Sequence, residues 1–254
     1  MTPRIDFNSD IGESFGAYTI GSDAEVIPCI TSANVACGFH AGDPAWMRTT
    51  VKLAEQHGVA IGAHPGFPDL RGFGRRNLDI SPADARDDVT YQIGALSAFT
   101  AAKRLQHVKP HGAFYNMAVR NDDLARGICD GVLQADPQLV ITVLAGSRWV
   151  EIARSMGLRV ARETFADRAF SADGTLVPRG RPGAVIDDVA HVVERAVRIV
   201  TERTAVAITG EEIPVEADSI CLHGDNPHAA KLAGALRAGL EAAGVAVVSL
   251  GTFV

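Results

Sequence analysis

The stretch VKPHGAFYN, residues 108–116, places a lysine and a histidine where a strand must stop. Pro110 has no N–H to give to a sheet ladder, and Gly112 permits a tight turn, so the short apolar run ends here. Lys109 and His111 are thereby carried at a strand terminus, where α/β folds keep their chemistry. The arrangement recurs along the chain. The first strand exits into Asn8-Ser9-Asp10-Ile11-Gly12-Glu13, the second through Gly38-Phe39-His40, and the third into Ala63-His64-Pro65-Gly66. The sixth gives Glu163 and then Asp167-Arg168, and the seventh Leu222-His223-Gly224-Asp225.

Working outward, short β-branched runs alternate with longer helical patterns. Strands are expected over 5–8, 33–36, 59–63, 107–109, 139–144, 158–163, 219–222 and 246–250. Helices are expected over 44–57, 82–105, 122–135, 147–156, 186–203 and 227–243. Asp43-Pro44, Ser81-Pro82 and Asn226-Pro227 each set a capping residue before a proline at the first helical position. Gly58, Gly157 and Gly244 follow their helices as C-terminal caps. Helices between successive strands imply a mainly parallel sheet. The expected fold is α/β, a single domain over 1–254 forming a distorted, seven- or eight-stranded β/α barrel; an open doubly wound sheet is the alternative. Two long loops, 67–79 and 165–182, interrupt the rhythm, and 205–217 reads as a β-hairpin turning at Gly210.

Bulk properties bound the function. A net charge of −6 argues against a nucleic-acid or anionic-membrane surface. No apolar run approaches the roughly 18 residues of a membrane span, and the N-terminus has no signal core. The four cysteines, Cys29, Cys37, Cys129 and Cys221, form no CxxC pair, so a cytoplasmic protein with reduced thiols is expected.

In a barrel these termini meet on one face, and carboxylates, imidazoles and a lysine gather in one basin. Taken singly, each has a plain structural explanation. Asp43 and Asn226 are helix caps; His57 and His107 sit in connections away from the basin, His191 lies within a helix, and His228 is ambiguous. The coincidence across six strands is what argues for function. Two chemistries fit. Asp10, His64 and His111 suffice to bind a divalent metal with open positions. Without metal, a carboxylate or histidine acts as base on water while Lys109 stabilises charge on an amide oxygen. There is no GxxxxGK[ST] phosphate loop, no GxGxxG after a strand and no GxSxG elbow. Cys37 lies near the basin with nothing to activate it. Arg71, Arg75 and Arg76 either clamp a phosphate or carboxylate or belong to a basic loop that is solvated or contacts another subunit.

In order along the chain stand DFNSDIGESFGAY, TSANVACGFHAGDPAWM, IGAHPGFPDLRGFGRR, YQIGAL, HVKPHGAFYN, ETFADRAF, DGTLVPRG and ICLHGDNPHA. Together they resemble the LamB/YcsF family from residue 6 to about residue 230. The resemblance implies a β/α barrel similar to polysaccharide deacetylases. It also implies ATP-dependent hydrolysis of the lactam of 5-oxoproline to L-glutamate, jointly with B and C subunits that bring the ATP. This chain would then carry the ring-opening half. Asp10, His64 and His111 would activate water, while Lys109 and Arg168 orient the substrate; Asn8, His40, Glu163 and His223 complete the expected substrate contacts. Phe7, Phe67, Phe114 and Phe170 depart from the family pattern, standing where Leu or Tyr is expected. The alternatives are a stand-alone metal-dependent deacylase working without ATP, and a non-catalytic subunit that only holds 5-oxoproline.

Overall fold

The computed structural model describes residues 2–223 and 229–254, and in it every expected strand forms. The first half of the chain runs β1 (Arg4–Ile11), α1 (Asp23–Val26), β2 (Ser32–Ala36), α2 (Pro44–Gln56), β3 (Ala60–His64) and α3 (Pro82–Ser97). Then come β4 (His107–Val108), α4 (Gly112–Ala118), α5 (Asp122–Ala135), β5 (Val140–Leu144), α6 (Arg148–Ser155) and β6 (Arg159–Phe165). The chain ends with α7 (Val189–Glu202), β7 (Thr204–Val206), β8 (Glu212–Pro214), β9 (Ser219–His223), α8 (Ala229–Ala242) and β10 (Ala246–Val247).

Strands β1-β2-β3-β4-β5-β6-β9 are parallel neighbours, and β9 also pairs with β1, which closes a seven-stranded barrel. β10 adds to the start of β1 through Arg4 and Ile5. The open-sheet alternative is thereby excluded. β7 and β8 form the expected antiparallel hairpin, with Gly210 at φ +99° in its turn.

Helix starts follow the capping signals. Asp43 accepts the amides of Ala45 and Trp46, and Ser81 and Asp84 form a reciprocal capping box. The start proposed at Asn226-Pro227 lies outside the described residues, as does His228. α3 stops at Ser97, eight residues early, because the Thr100 hydroxyl takes the amide of Arg104 and Lys103 turns left-handed at φ +53°. α4 was not expected; it begins one residue after His111, with no capping side chain to announce it.

Apolar side chains face the helices. Ile5, Phe7 and Ile11 of β1 and Val108 of β4 are buried in one cluster with Val51, Leu96, Ile128 and Leu236 of the helices. Each such burial contributes about 1.5–3 kcal/mol. The barrel interior is polar instead. At its floor Asp6 accepts the hydroxyls of Thr31, Ser32 and Ser219. Above it the Asn8 amide donates to Glu163 at 3.0 Å and to Ser219 at 2.6 Å, and its oxygen accepts from Asn34 at 2.7 Å. His107 corrects the sequence reading: it is no connection residue but points inward, its Nε2 2.7 Å from the Asn34 oxygen. Gly62 makes room for it, since a Cβ there would lie 2.2 Å from that ring.

Candidate active site

A cavity of about 660 Å³ opens at the C-terminal ends of the strands. Asp10 from β1, His64 from β3, Lys109 and His111 following β4, Arg168 following β6 and His223 from β9 all line it, as the strand-end argument expects. Asn8, His40 and Glu163, expected to touch substrate, lie behind this wall, each at most 1% exposed. They touch the lining residues instead.

Lys109 organises the centre. Its ammonium stands 2.8 Å from Asp10, 3.0 Å from Glu163, 2.9 Å from the Cys221 sulfur and 3.3 Å from the Asn8 oxygen. A buried charge persists only when paired in this way. Burial favours the neutral amine, but Asp10, Cys221 and Glu163 outweigh it and push the Lys109 pKa well above its ordinary value. Burial likewise would raise Asp10; His64 and Lys109 overcome it and hold Asp10 well below the usual carboxylate range. Asn34 donates to Asp10 at 2.8 Å as well.

The histidines obey a proton count. His64 Nδ1 lies 2.6 Å from the Lys109 carbonyl, and His111 Nε2 lies 2.8 Å from the Phe73 carbonyl. Carbonyls only accept, so these two nitrogens are assigned the protons. The facing nitrogens, His64 Nε2 and His111 Nδ1, are 2.9 Å apart and carry lone pairs when both rings are neutral. A positive species must be shared between them: a proton or a metal ion. Asp10 Oδ2 stands 3.3 Å from His64 Nε2 to balance it. A proton fits this spacing directly. Two nitrogens on one tetrahedral metal sit roughly 3.4 Å apart, so a metal needs an opening of about half an ångström. His40, stacked on His111 with centroids 3.7 Å apart, and Glu13, 3.5 Å from both rings, bring further donors. Glu13, His40, His64 and His111 thus form a set that fits a metal ion, with the remote nitrogens of His64 and His111 on backbone carbonyls as ligating histidines require. Asp10 groups instead with Cys221 and His223, among which the Lys109 ammonium already lies against Asp10 and Cys221. Burial and the neighbouring histidines keep His40 and His111 neutral, their pKa values well below the ordinary one.

The mouth is cationic: Arg75, Arg120, Arg168 and Arg179 line it. Arg168 is aimed by its own loop, Nε donating to Ala184 and Nη2 to Val177. Burial, with Arg179 beside it, brings its pKa down to about 10, which leaves it charged. Of the arginines in the first long loop only Arg75 lines the cavity; Arg76 pairs with Asp69. Cys37 is inert, its thiol pushed up to about 12 by burial. Sequence reasoning missed Asn34, Cys221 and Tyr115, whose period-two or helical positions were legible only once their inward direction was known. The Phe7, Phe67, Phe114 and Phe170 rings are all buried, Phe67 and Phe114 against each other at 4.7 Å, so no hydroxyl is lost from the cavity.

Known proteins resemble the chain throughout. A protein of Pyrococcus furiosus, named as the A subunit of 5-oxoprolinase, is 56% identical over 99% of both chains. One of Limosilactobacillus fermentum with the same name is 56% identical over 96% of this chain and 98% of its own. The crystal structure of a lactam utilization protein from Thermus thermophilus superimposes with a TM-score of 0.92 at 48% identity, covering 97% of this chain and all of that one. A T48 deacetylase shares the fold alone, at 13% identity and a TM-score of 0.50 over 98% of this chain and 89% of that one. The LamB/YcsF signature matches residues 5–254, and the chain belongs to the LamB/YcsF family.

Proposed function

We propose that this chain is the A subunit of a 5-oxoprolinase and performs the ring-opening half of the conversion of 5-oxoproline to L-glutamate. The observation that carries this reading is the near-complete match to proteins named as the A subunit of 5-oxoprolinase. The cavity supports it, combining a water-activating group with a cationic mouth suited to a small carboxylate. An unstrained five-membered lactam is a poor electrophile. B and C subunits that cleave ATP would phosphorylate its amide oxygen, giving this chain a substrate it can open without a phosphate loop of its own. The stand-alone deacylase reading is left with a likeness of fold and nothing more.

In this mechanism Arg168 receives the substrate carboxylate or the phosphoryl group, with Arg75 and Arg179 nearby on the rim. The attacking water gives its proton to Asp10, the member of the Asp10–His64–His111 group whose lone pairs are not taken by the proton or metal that the two rings share. Lys109 keeps Asp10 ionised and fixed in place. A divalent metal held by His64, His111 and Glu13 would, when bound, polarise the carbonyl and acidify the water. The test is glutamate release from 5-oxoproline and ATP, by the chain alone and after mixing with its B and C subunits. Activity only in the mixture is expected; activity of the isolated chain without ATP contradicts the reading.

A further inference from the structure

Across the cavity from His111 the wall carries a second pair that the steps above leave unused. His223 Nδ1 lies 3.0 and 2.9 Å from the two oxygens of Asp167, a carboxylate only 2% exposed. The Asp167 carboxylate accepts, so Nδ1 is the protonated nitrogen and Nε2 is the one left for other partners. The ring is held on a second side by Phe165, stacked at 5.5 Å with 15° between the planes. Its level is set by strand register, since His223 on β9 is the Cα partner of Asp10 on β1. The two side chains therefore flank one point in the cavity, with polar atoms within 4.8 Å of each other.

Ring opening needs a donor at that place. Attack of water on the O-phosphorylated lactam carbon forms a C–O bond; collapse of the adduct breaks the C–N bond, its electron pair goes to nitrogen, and the acyl phosphate left behind is hydrolysed by a second water to glutamate and phosphate. An amide anion is too basic to leave, so nitrogen must receive a proton as the bond breaks. The water proton is taken by the Asp10–His64–His111 group.

We infer that His223 is the general acid that protonates the departing ring nitrogen, and that Asp167 is the residue that positions it. This rests on the ring-opening reading above. His223 acts as the imidazolium ion-paired with Asp167: it gives its Nε2 proton to nitrogen, keeps the one on Nδ1, and regains the lost proton from solvent as glutamate leaves, while the Asp10–His64–His111 group returns the water proton. With the second water that releases phosphate, atoms and charge balance. Asp167 acts through His223, fixing its tautomer and its rotation.

The test varies the leaving group. In the γ-thiolactone analogue, 5-oxothiolane-2-carboxylate, a thiolate departs without a proton and the thioester needs no ATP. In the reconstituted complex, His223→Gln is expected to slow opening of 5-oxoproline by about 10²–10³-fold. Thiolactone hydrolysis by the same protein should stay within about threefold of wild type. Asp167→Asn, the milder variant, should shift the two rates in the same unequal way. Equal loss on both substrates in these variants, or loss on neither, overturns the inference. A wild-type chain that leaves the thiolactone intact overturns the ring-opening reading itself, because a site that opens the lactam must open the weaker thioester.

Discussion

An ammonium with acceptors on three sides, as Lys109 has in Asp10, Glu163 and Cys221, has no N–H direction left over for a substrate. In the proposed mechanism its contribution is to the state of Asp10. Replacing Lys109 by Met keeps the volume and removes the charge, which leaves two buried carboxylates uncompensated. We expect a loss of about 3–5 kcal/mol in unfolding free energy, read from urea titration, together with loss of glutamate formation. A variant as stable as the parent would show that the Asp10–Glu163 pair does not need its cation. The sequence showed Lys109 and His111 at once, because a proline and a glycine mark the strand end beside them. It could not show that Asn8, His40 and Glu163 stand behind the wall, since depth within a barrel leaves no mark on a single residue.

Strand β1 explains both what could be read and what could not. Its pattern is regular, Ile5, Phe7 and Ile11 alternating with Asp6, Asn8 and Asp10, but the polar face is buried as well. A reading that takes polar residues as strand ends stops at 8, whereas the strand continues to Ile11. The same polar interior hid His107, and it hid Cys221 as a partner of the lysine. Helices fared better where a cap announced them, and α5 matches its expected span of 122–135. The capless α4 left no such signal.

At the floor of β1, Asp6 gives this polar lining a measurable consequence. Burial raises its pKa from 3.8 to about 6, against the lowering effect of three hydroxyl donors. The folded state therefore favours the neutral acid. Its contribution to stability is whole below about pH 4 and is lost as pH climbs through 6, a change of about 3 kcal/mol by linkage. Comparing unfolding free energies of wild type and Asp6→Asn across pH 4 to 7 should show the gap shifting by that amount in the variant's favour. A gap independent of pH would mean that Asp6 ionises normally in the fold.

For the molecule as a whole, closure of the barrel by β9 onto both β6 and β1 is what brings Asp167 and His223 opposite the His64–His111 pair. Alternating strands and helices were enough to anticipate a barrel and a basin at its carboxyl end. The partners and ATP came only from the ordered motifs, because nothing in periodicity or charge encodes a second chain. No helix among the described residues is long and apolar enough to cross a membrane, in keeping with the apolar runs of the sequence.

The central claim is that this chain opens the ring while its partners cleave ATP. The most direct measurement is to assemble the complex with Asp10→Asn or His111→Ala in place of the wild-type chain and follow ADP and glutamate in the same reaction. The account predicts that ADP is still formed while glutamate formation falls by at least about 10²-fold, with the fold of each variant intact. Undiminished glutamate formation would contradict it.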